Sequence, residues 1–345
     1  MWLLTVRDLL FRKRQFAIAV FGSALVFAMA LVLAGLSGGF RGEVRRTVEA
    51  TQADGFVVAA GTSGPFTSVA TLPEGTLAGI RGATAADPLI TVRQTAETPD
   101  GRIDINLIGH VRGGLGEPPV RSGRRAIQSG EAVADRRTGL RTGDSLRLGG
   151  RAFTVVGETK GLSYLGGIPV VFVGIDDART TLFAGAPVAT TIAVRGTPTL
   201  PPGVHLISAR EARADALRPL ANGIRSIDNC VRFLWVVAAV IIGAVSYLSA
   251  LERLRDFAVL KAVGVGGDRL YAGLALQSTL MALAAAVVAL AVSRVLVPLF
   301  PIPIDIPASA FAILPLVAVL VGLLASLSGL RQAVRVDPAL AFAGR

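Results

Sequence analysis

The sequence predicts a membrane α-helical protein with four transmembrane helices and a large α+β extracytoplasmic domain inserted between helix 1 and helix 2. Three observations predict it. Of the 345 residues 52% are hydrophobic, and the mean hydropathy of +0.60 is too high for an ordinary soluble domain. Four apolar runs, at 16–36, 233–251, 270–293 and 309–330, carry no charge and are near the length of about 20 residues that a bilayer needs. Between the first two runs, residues 54–207 have the composition of a water-soluble domain and contain no such run.

Residues 1–15 read as a cytoplasmic amphipathic start: Arg7, Arg12, Lys13 and Arg14 lie among Trp2 and Phe11, as in a helix resting on a membrane surface. The run 16–36 reads as a retained helix rather than a cleaved signal. It is longer than the usual signal core of about 7–15 residues, and no small-residue cleavage pattern ends it. Ser37-Gly38-Gly39 is expected to loosen the chain before a polar helical stretch, so 37–53 reads as a stalk.

Within 54–207, strands are expected at Phe56–Val58, Ile103–Ile108, Pro169–Gly174 and Thr190–Val194. Ser145–Leu148 and Ala152–Val156 flank Gly149-Gly150, a hairpin signal. Short helices are expected at Leu72–Gly82 and Asp176–Phe183, with Asp176-Asp177 as a cap. The strands come mainly from the middle and later parts of the domain. Residues 208–232 form a second stalk, with Pro219 and Gly223 as breaks.

Residues 252–269 are a charged turn between two spans. Glu252, Arg253, Arg255 and Asp256 are polar, while Leu254, Phe257 and Ala258 recur at helical spacing. Gly264, Gly266 and Gly267 stop that helix, and Asp268 caps the next. Arg294 closes the third span, 295–308 is a short proline-rich connection, Pro315 lies in the fourth span, and 331–345 is the tail. Lys and Arg gather in the start, in the 252–269 turn and in the tail, whereas 295–308 has none. That bias places both termini and the 252–269 turn in the cytoplasm.

The formal net charge of +11 comes with no arginine-rich tail and no basic patch interleaved with aromatics, so it gives no nucleic-acid footprint. The single cysteine, Cys230, excludes an internal disulfide. No GxxxxGK[ST], HExxH or CxxC motif occurs. His110 and His205 are far apart and read as structural, and Asp144 and Glu158 as lone acids. No catalytic residue, metal ligand or cofactor site is expected in this chain. A charge in mid-span would cost about 2.5–3.5 kcal/mol, and its absence from all four spans argues against a proton relay.

Glu252-Arg253 and Arg255-Asp256, followed by Val259-Leu260-Lys261-Ala262-Val263-Gly264, resemble the ER-x-RE-x-x-x-L(R/K)A-x-G signature of the FtsX/MacB-like (type VII) ABC transporter permeases. The tail Arg335-Val336-Asp337-Pro338-Ala339-Leu340-Ala341 resembles that family's ending, and Arg7-Asp8-Leu9-Leu10 with Arg12-Lys13 its opening. Gly143–Leu146 with Phe153–Gly157 is similar to part of its extracytoplasmic domain. Asp8 and Asp256 stand where the family usually has asparagine and glutamate.

The resemblance implies a MacB-like extracytoplasmic domain in an inner-membrane permease that works as a dimer, with a second copy or a homologous permease. It implies a separate ABC ATPase subunit, which would bind ATP and Mg. Glu252, Arg253, Arg255, Asp256, Phe257, Lys261 and Gly264 would form the coupling helix docked on that ATPase. Motion of the outer domain, called mechanotransmission, would then export or extract a hydrophobic molecule, lipid or lipoprotein. A membrane scaffold for an extracytoplasmic cell-wall hydrolase is the alternative, and a small-molecule importer a third. Membrane lipids are expected partners in every case, nucleic acid in none.

Overall fold

The computed structural model describes residues 13–252, 259, 266–299, 304–306, 313–324 and 326. The chain divides into two compact units, Met1–Gly39 with Gly223–Arg345, and Phe40–Asn222.

The first unit is helical. Helix α1 runs from Lys13 to Ala50, α5 from Ala221 to Leu251, α6 from Gly267 to Leu296, and an apolar α7 from Ile313 to Leu324. Helices α2 to α4 belong to the second unit. Among the described residues three helical stretches are long and apolar enough to cross a membrane: Phe16–Ala50, Ala209–Leu251 and Gly267–Leu299. The expected fourth span, 309–330, is represented by α7, which is shorter than a bilayer needs, and the residues that flank it lie outside the described set.

Small residues let these helices approach. Ala24, Ala28, Ala238, Ala282, Ala285, Ala286, Ala289 and Ala318 are buried, with Phe27, Leu31, Ile242, Leu314 and Val321 filling the spaces between. The Phe27 and Trp235 rings lie 5.3 Å apart. Outward, Ile18, Phe21, Leu25 and Met29 of α1 and Phe233, Val236, Val240 and Leu248 of α5 are exposed, as apolar solvent would require.

Ser37-Gly38-Gly39 does not loosen the chain, because α1 continues through it. Just before it, Gly35 serves close approach. A Cβ on Gly35 would lie 2.7 Å from Ile304 Cγ2 and 2.9 Å from Ile306 Cγ1. Asp305 N–H donates to the Gly35 carbonyl at 3.1 Å, and Ser37 Oγ donates to Asp228 at 2.8 Å.

The second unit is an α+β domain on an eleven-stranded sheet. Its strands are β1 (Gly55–Ala59), β3 (Arg81–Thr98), β4 (Gly101–His110), β5 (Ser122–Gly123), β6 (Glu131–Asp135), β7 (Ser145–Leu148), β8 (Arg151–Thr159), β9 (Ser163–Tyr164), β10 (Ile168–Gly174), β12 (Thr191–Thr199) and β13 (Val204–Ser208). A separate pair joins β2 (Leu72–Pro73) to β11 (Val188–Ala189). Helices α3 (Ile175–Phe183) and α4 (Ala209–Leu217) complete it. The main path runs β13-β1-β12-β3-β4-β10-β6-β8-β5.

Strand β3 holds the sheet together by changing partners. Residues 81–89 pair with β12 and residues 90–98 pair with β4. The interior divides by the faces of the sheet, since successive residues such as Leu89 and Ile90, or Phe172 and Val173, fall in different cores. Phe56, Leu89, Ile108, Val133, Tyr164 and Phe172 belong to one core, and Ile90, Ile105, Leu107, Leu146, Phe153 and Val173 to the other.

Two expectations fail here. Leu72–Gly82 is not a helix: β2 occupies 72–73, only Gly75–Ala78 turns as a short α2, and β3 begins at Arg81. Pro73, Gly75 and Gly79 each disfavour a helix interior, which propensity alone would indicate. The eighteen-residue β3 was hidden because Pro88 and several polar residues interrupt its alternation. The Gly149-Gly150 hairpin is present, with φ of 54° and 82° that a residue with a Cβ would adopt only under strain. Pro219 falls in a 3-10 turn at Arg218–Leu220, whereas Gly223 lies inside α5 and breaks nothing.

Candidate coupling and transmission site

Of the residues expected to dock the ATPase, Glu252 is described. It is exposed, and its N–H donates to the Leu248 carbonyl at 3.1 Å, closing the last turn of α5. Arg253, Arg255, Asp256, Phe257, Lys261 and Gly264 lie outside the described residues. Across the turn, Gly266 in extended conformation is the N-cap of α6 and makes no side-chain cap bond. Asp268 therefore sits in the first turn, where a carboxylate favours the positive end of the helix dipole, rather than at the cap.

A second, buried polar cluster was not legible beforehand. It lies where the last part of α1, residues 40–50, is built into the α+β domain. Val44 and Val48 are buried in its core beside Tyr164 and Phe172. Glu43, on the same helical face, is buried and accepts a hydrogen bond from the Arg137 guanidinium. The same guanidinium donates to Ser163 Oγ at 2.6 Å. Thr47 Oγ1 donates to the Ser163 carbonyl at 2.9 Å, and Arg46 Nε to the Gly161 carbonyl at 3.3 Å.

Asp135 aims Arg137. Its Oδ1 accepts from Arg137 N–H at 3.1 Å, while Oδ2 accepts from Thr159 Oγ1 at 2.9 Å and Leu162 N–H at 2.8 Å. One buried carboxylate thus ties the end of β6 to the loop that carries Gly161 and Ser163. Glu43, Val44, Thr47 and Val48 follow helical spacing, so the stripe itself was present in the sequence. A glutamate and a threonine within it read as a solvated face, because their partners are over ninety residues away.

The returning stalk begins at a capping box. Ser208 Oγ accepts from Glu211 N–H, and Glu211 accepts from Ser208 N–H at 2.8 Å. One turn on, buried Asp215 accepts from Phe66 N–H at 3.0 Å and Thr67 N–H at 3.2 Å, pinning the 64–67 loop over the core. Burial beside this group raises the Tyr164 hydroxyl well above its ordinary value, with the charge of Asp215 adding to the effect.

Several further polar residues have partners within the same domain. His110 is buried, its Nδ1 3.0 Å from the Val111 carbonyl, and burial holds its pKa below the ordinary value. Asp177 does not cap α3; Gly174 takes the N-cap position. It accepts instead from Ser129 Oγ at 2.6 Å and Gly130 N–H at 3.0 Å, and pairs with Arg151 at 2.8 Å. Glu158 pairs with Arg136 at 2.8 Å, and Asp144 accepts from Arg141 N–H at 2.8 Å. Among the described residues no group of three or more His, Cys, Asp or Glu could hold a metal ion.

Residues 231–338 match the family model described as FtsX-like permease C-terminal. Two uncharacterised ABC transporter permeases of Mycobacterium tuberculosis are 42% and 40% identical over 343 residues, 98% of this chain and 98% of each of theirs. Among solved structures, the extracellular domain of the ABC-type transporter YknZ from Gram-positive bacteria overlaps 41% of this chain and 81% of its own, at TM-score 0.32 and 18% identity. The periplasmic region of MacB from Actinobacillus actinomycetemcomitans overlaps 47% and 91%, at TM-score 0.34 and 10% identity.

Proposed function

Because the chain belongs to the FtsX-like ABC transporter permeases, we propose that it is the subunit that turns ATP hydrolysis by a separate ATPase chain into motion of its α+β domain. The observation that carries this reading is the built-in end of α1. Residues 40–50 of this helix bury Val44, Val48 and a paired Glu43 in the domain core, which supports a stalk firmly seated in that domain. Interiors packed in this way transmit displacement rather than absorb it.

In this reading Glu252, Arg253, Arg255, Asp256, Phe257, Lys261 and Gly264 form the docking element for the ATPase at the cytoplasmic face of an inner membrane. ATP and Mg are held by the partner. A second permease copy, or a homologue, completes the assembly. The charge-free apolar spans favour a mechanical task, the export or extraction of a hydrophobic molecule, a lipid or a lipoprotein, over conduction through an aqueous path.

The test is Arg253→Glu with Arg255→Glu in the full chain. Membrane insertion is expected to persist while binding and stimulation of the ATPase that copurifies with the wild type are lost. Normal binding and stimulation by the double variant would refute the docking role.

A further inference from the structure

Helices α5 and α6, on either side of residues 252–266, are held in register by a buried polar pair of contacts. Ser246 Oγ of α5 and Ser278 Oγ of α6 lie 2.8 Å apart, and Gln277 Nε2 donates to Ser249 Oγ at 3.2 Å. All four side chains are buried. Ser246 and Ser249 are three apart, one turn of the same helical face, and they meet adjacent residues of the antiparallel partner. A third helix closes on the same place. A Cβ on Gly322 of α7 would lie 2.5 Å from Thr279 Cα and 2.8 Å from Thr279 N, so α7 crosses α6 backbone to backbone. Phe16 and Ala19 of α1 pack against Met281 nearby.

We propose that this node makes α5 and α6 a single rigid lever, so that a push on the 252–266 turn moves both helices together instead of sliding one past the other. The proposal rests on the docking role of that turn. Hydrogen bonds between helices in an apolar medium add little to stability, so these two are not needed to hold the hairpin together. Their geometric effect is larger. Sliding α5 past α6 by a single residue, a rise of about 1.5 Å, would misplace both pairs and leave four polar groups unpaired where no water reaches them. The node is also close to the point of force: α5 ends at Leu251, two residues beyond Ser249. Gly322 then passes the displacement on to α7.

The experiment cross-links the node in the full chain. Cys230 is first replaced by serine, and Ser246→Cys is combined with Ser278→Cys. The serine oxygens already stand 2.8 Å apart, so two sulfurs there can close to the bond length of about 2.05 Å once an added oxidant removes two electrons and two protons. A rigid lever predicts that the disulfide forms and that stimulation of the copurifying ATPase stays within about twofold of the reduced protein. Loss of stimulation that a reductant restores would overturn the proposal, because it would show that the helices must slide. Failure of the disulfide to form would overturn it as well.

A second variant, Gln277→Leu with Ser278→Val, removes the register without touching the turn. It is expected to keep ATPase binding and to lose stimulation by about fivefold or more. Unchanged stimulation would refute the lever. If the wild type captures no ATPase, the docking role fails and the lever with it, and disulfide formation then reports the helix register alone.

Discussion

Thr190 Oγ1 accepts a hydrogen bond from the backbone N–H of Thr91 at 2.8 Å, one residue beyond the point where β3 leaves β12 for β4. A strand that changes neighbours leaves a gap in its hydrogen-bond ladder, and this threonine fills it. Thr190 N–H also donates to the Leu89 carbonyl at 2.9 Å.

Thr190→Val should therefore leave a buried N–H without an acceptor, at about 1–3 kcal/mol. The expected readout is local. Hydrogen exchange of the peptide containing Thr91 should accelerate about tenfold or more, since 1.4 kcal/mol is tenfold, while helices α5 and α6 are unaffected. Unaltered exchange at Thr91 would contradict the role given to the hydroxyl.

Arg137→Ala should destabilise the α+β domain by about 3 kcal/mol, because it strands the buried Glu43 carboxylate. Glu43→Leu with Arg137→Met should recover most of that loss, since an apolar pair of similar size avoids desolvating either charge. Pulse proteolysis of the full chain across a denaturant series measures both. Equal losses in the single and the double variant would show that the charge itself was not the cause.

Acid should weaken the domain in two steps. Burial disfavours the His110 imidazolium, so the unfolded chain takes up this proton first. That contribution is whole above the ordinary value of 6.5 and is lost as the pH falls below it. Glu131 is held at about 2 by hydrogen bonds from Arg124, with the Gln128 and Ile127 N–H groups assisting. Its contribution is whole above 4.5 and is lost as the pH falls toward about 2. Melting temperature against pH should decline over both windows in the wild type, and His110→Gln should abolish the upper decline only.

Gly322→Ala should lower the melting temperature of the full chain in detergent. The added methyl meets the α6 backbone at Thr279, which cannot rotate away, and overpacking of this kind costs about 1–3 kcal/mol. Gly273→Ala, on the same helix as Thr279 but with open space around its Cβ position, is the matched control and should be neutral or slightly stabilising.

The elements readable in the sequence were those whose physics is local. The Gly149-Gly150 hairpin, the alternating β4 and the apolar runs of α1, α5 and α6 each follow from neighbouring residues alone. Two of the misreadings share an origin. Ser37-Gly38-Gly39 reads as loose because glycine favours the unfolded chain, yet α1 runs through it, with Ser37 bonded to Asp228 and with Ile304 and Ile306 close to Gly35 just before it. Asp177 reads as a cap because acids do cap helices, yet its partners are Ser129, Gly130 and Arg151, some fifty to twenty-six residues away.

The sequence by itself determined that the chain carries apolar runs long enough to span a membrane and, through the 252–264 motif, its kinship with the permeases. Those properties rest on composition, charge placement and short spacings. Only the tertiary structure decided that β3 serves two partners, that Glu43 is buried against Arg137, and that Ser246, Ser249, Gln277 and Ser278 form one node. Each is a meeting of polar groups far apart in the chain. A polar residue's own preference is for water, so nothing in its neighbourhood announces that a distant partner will take water's place.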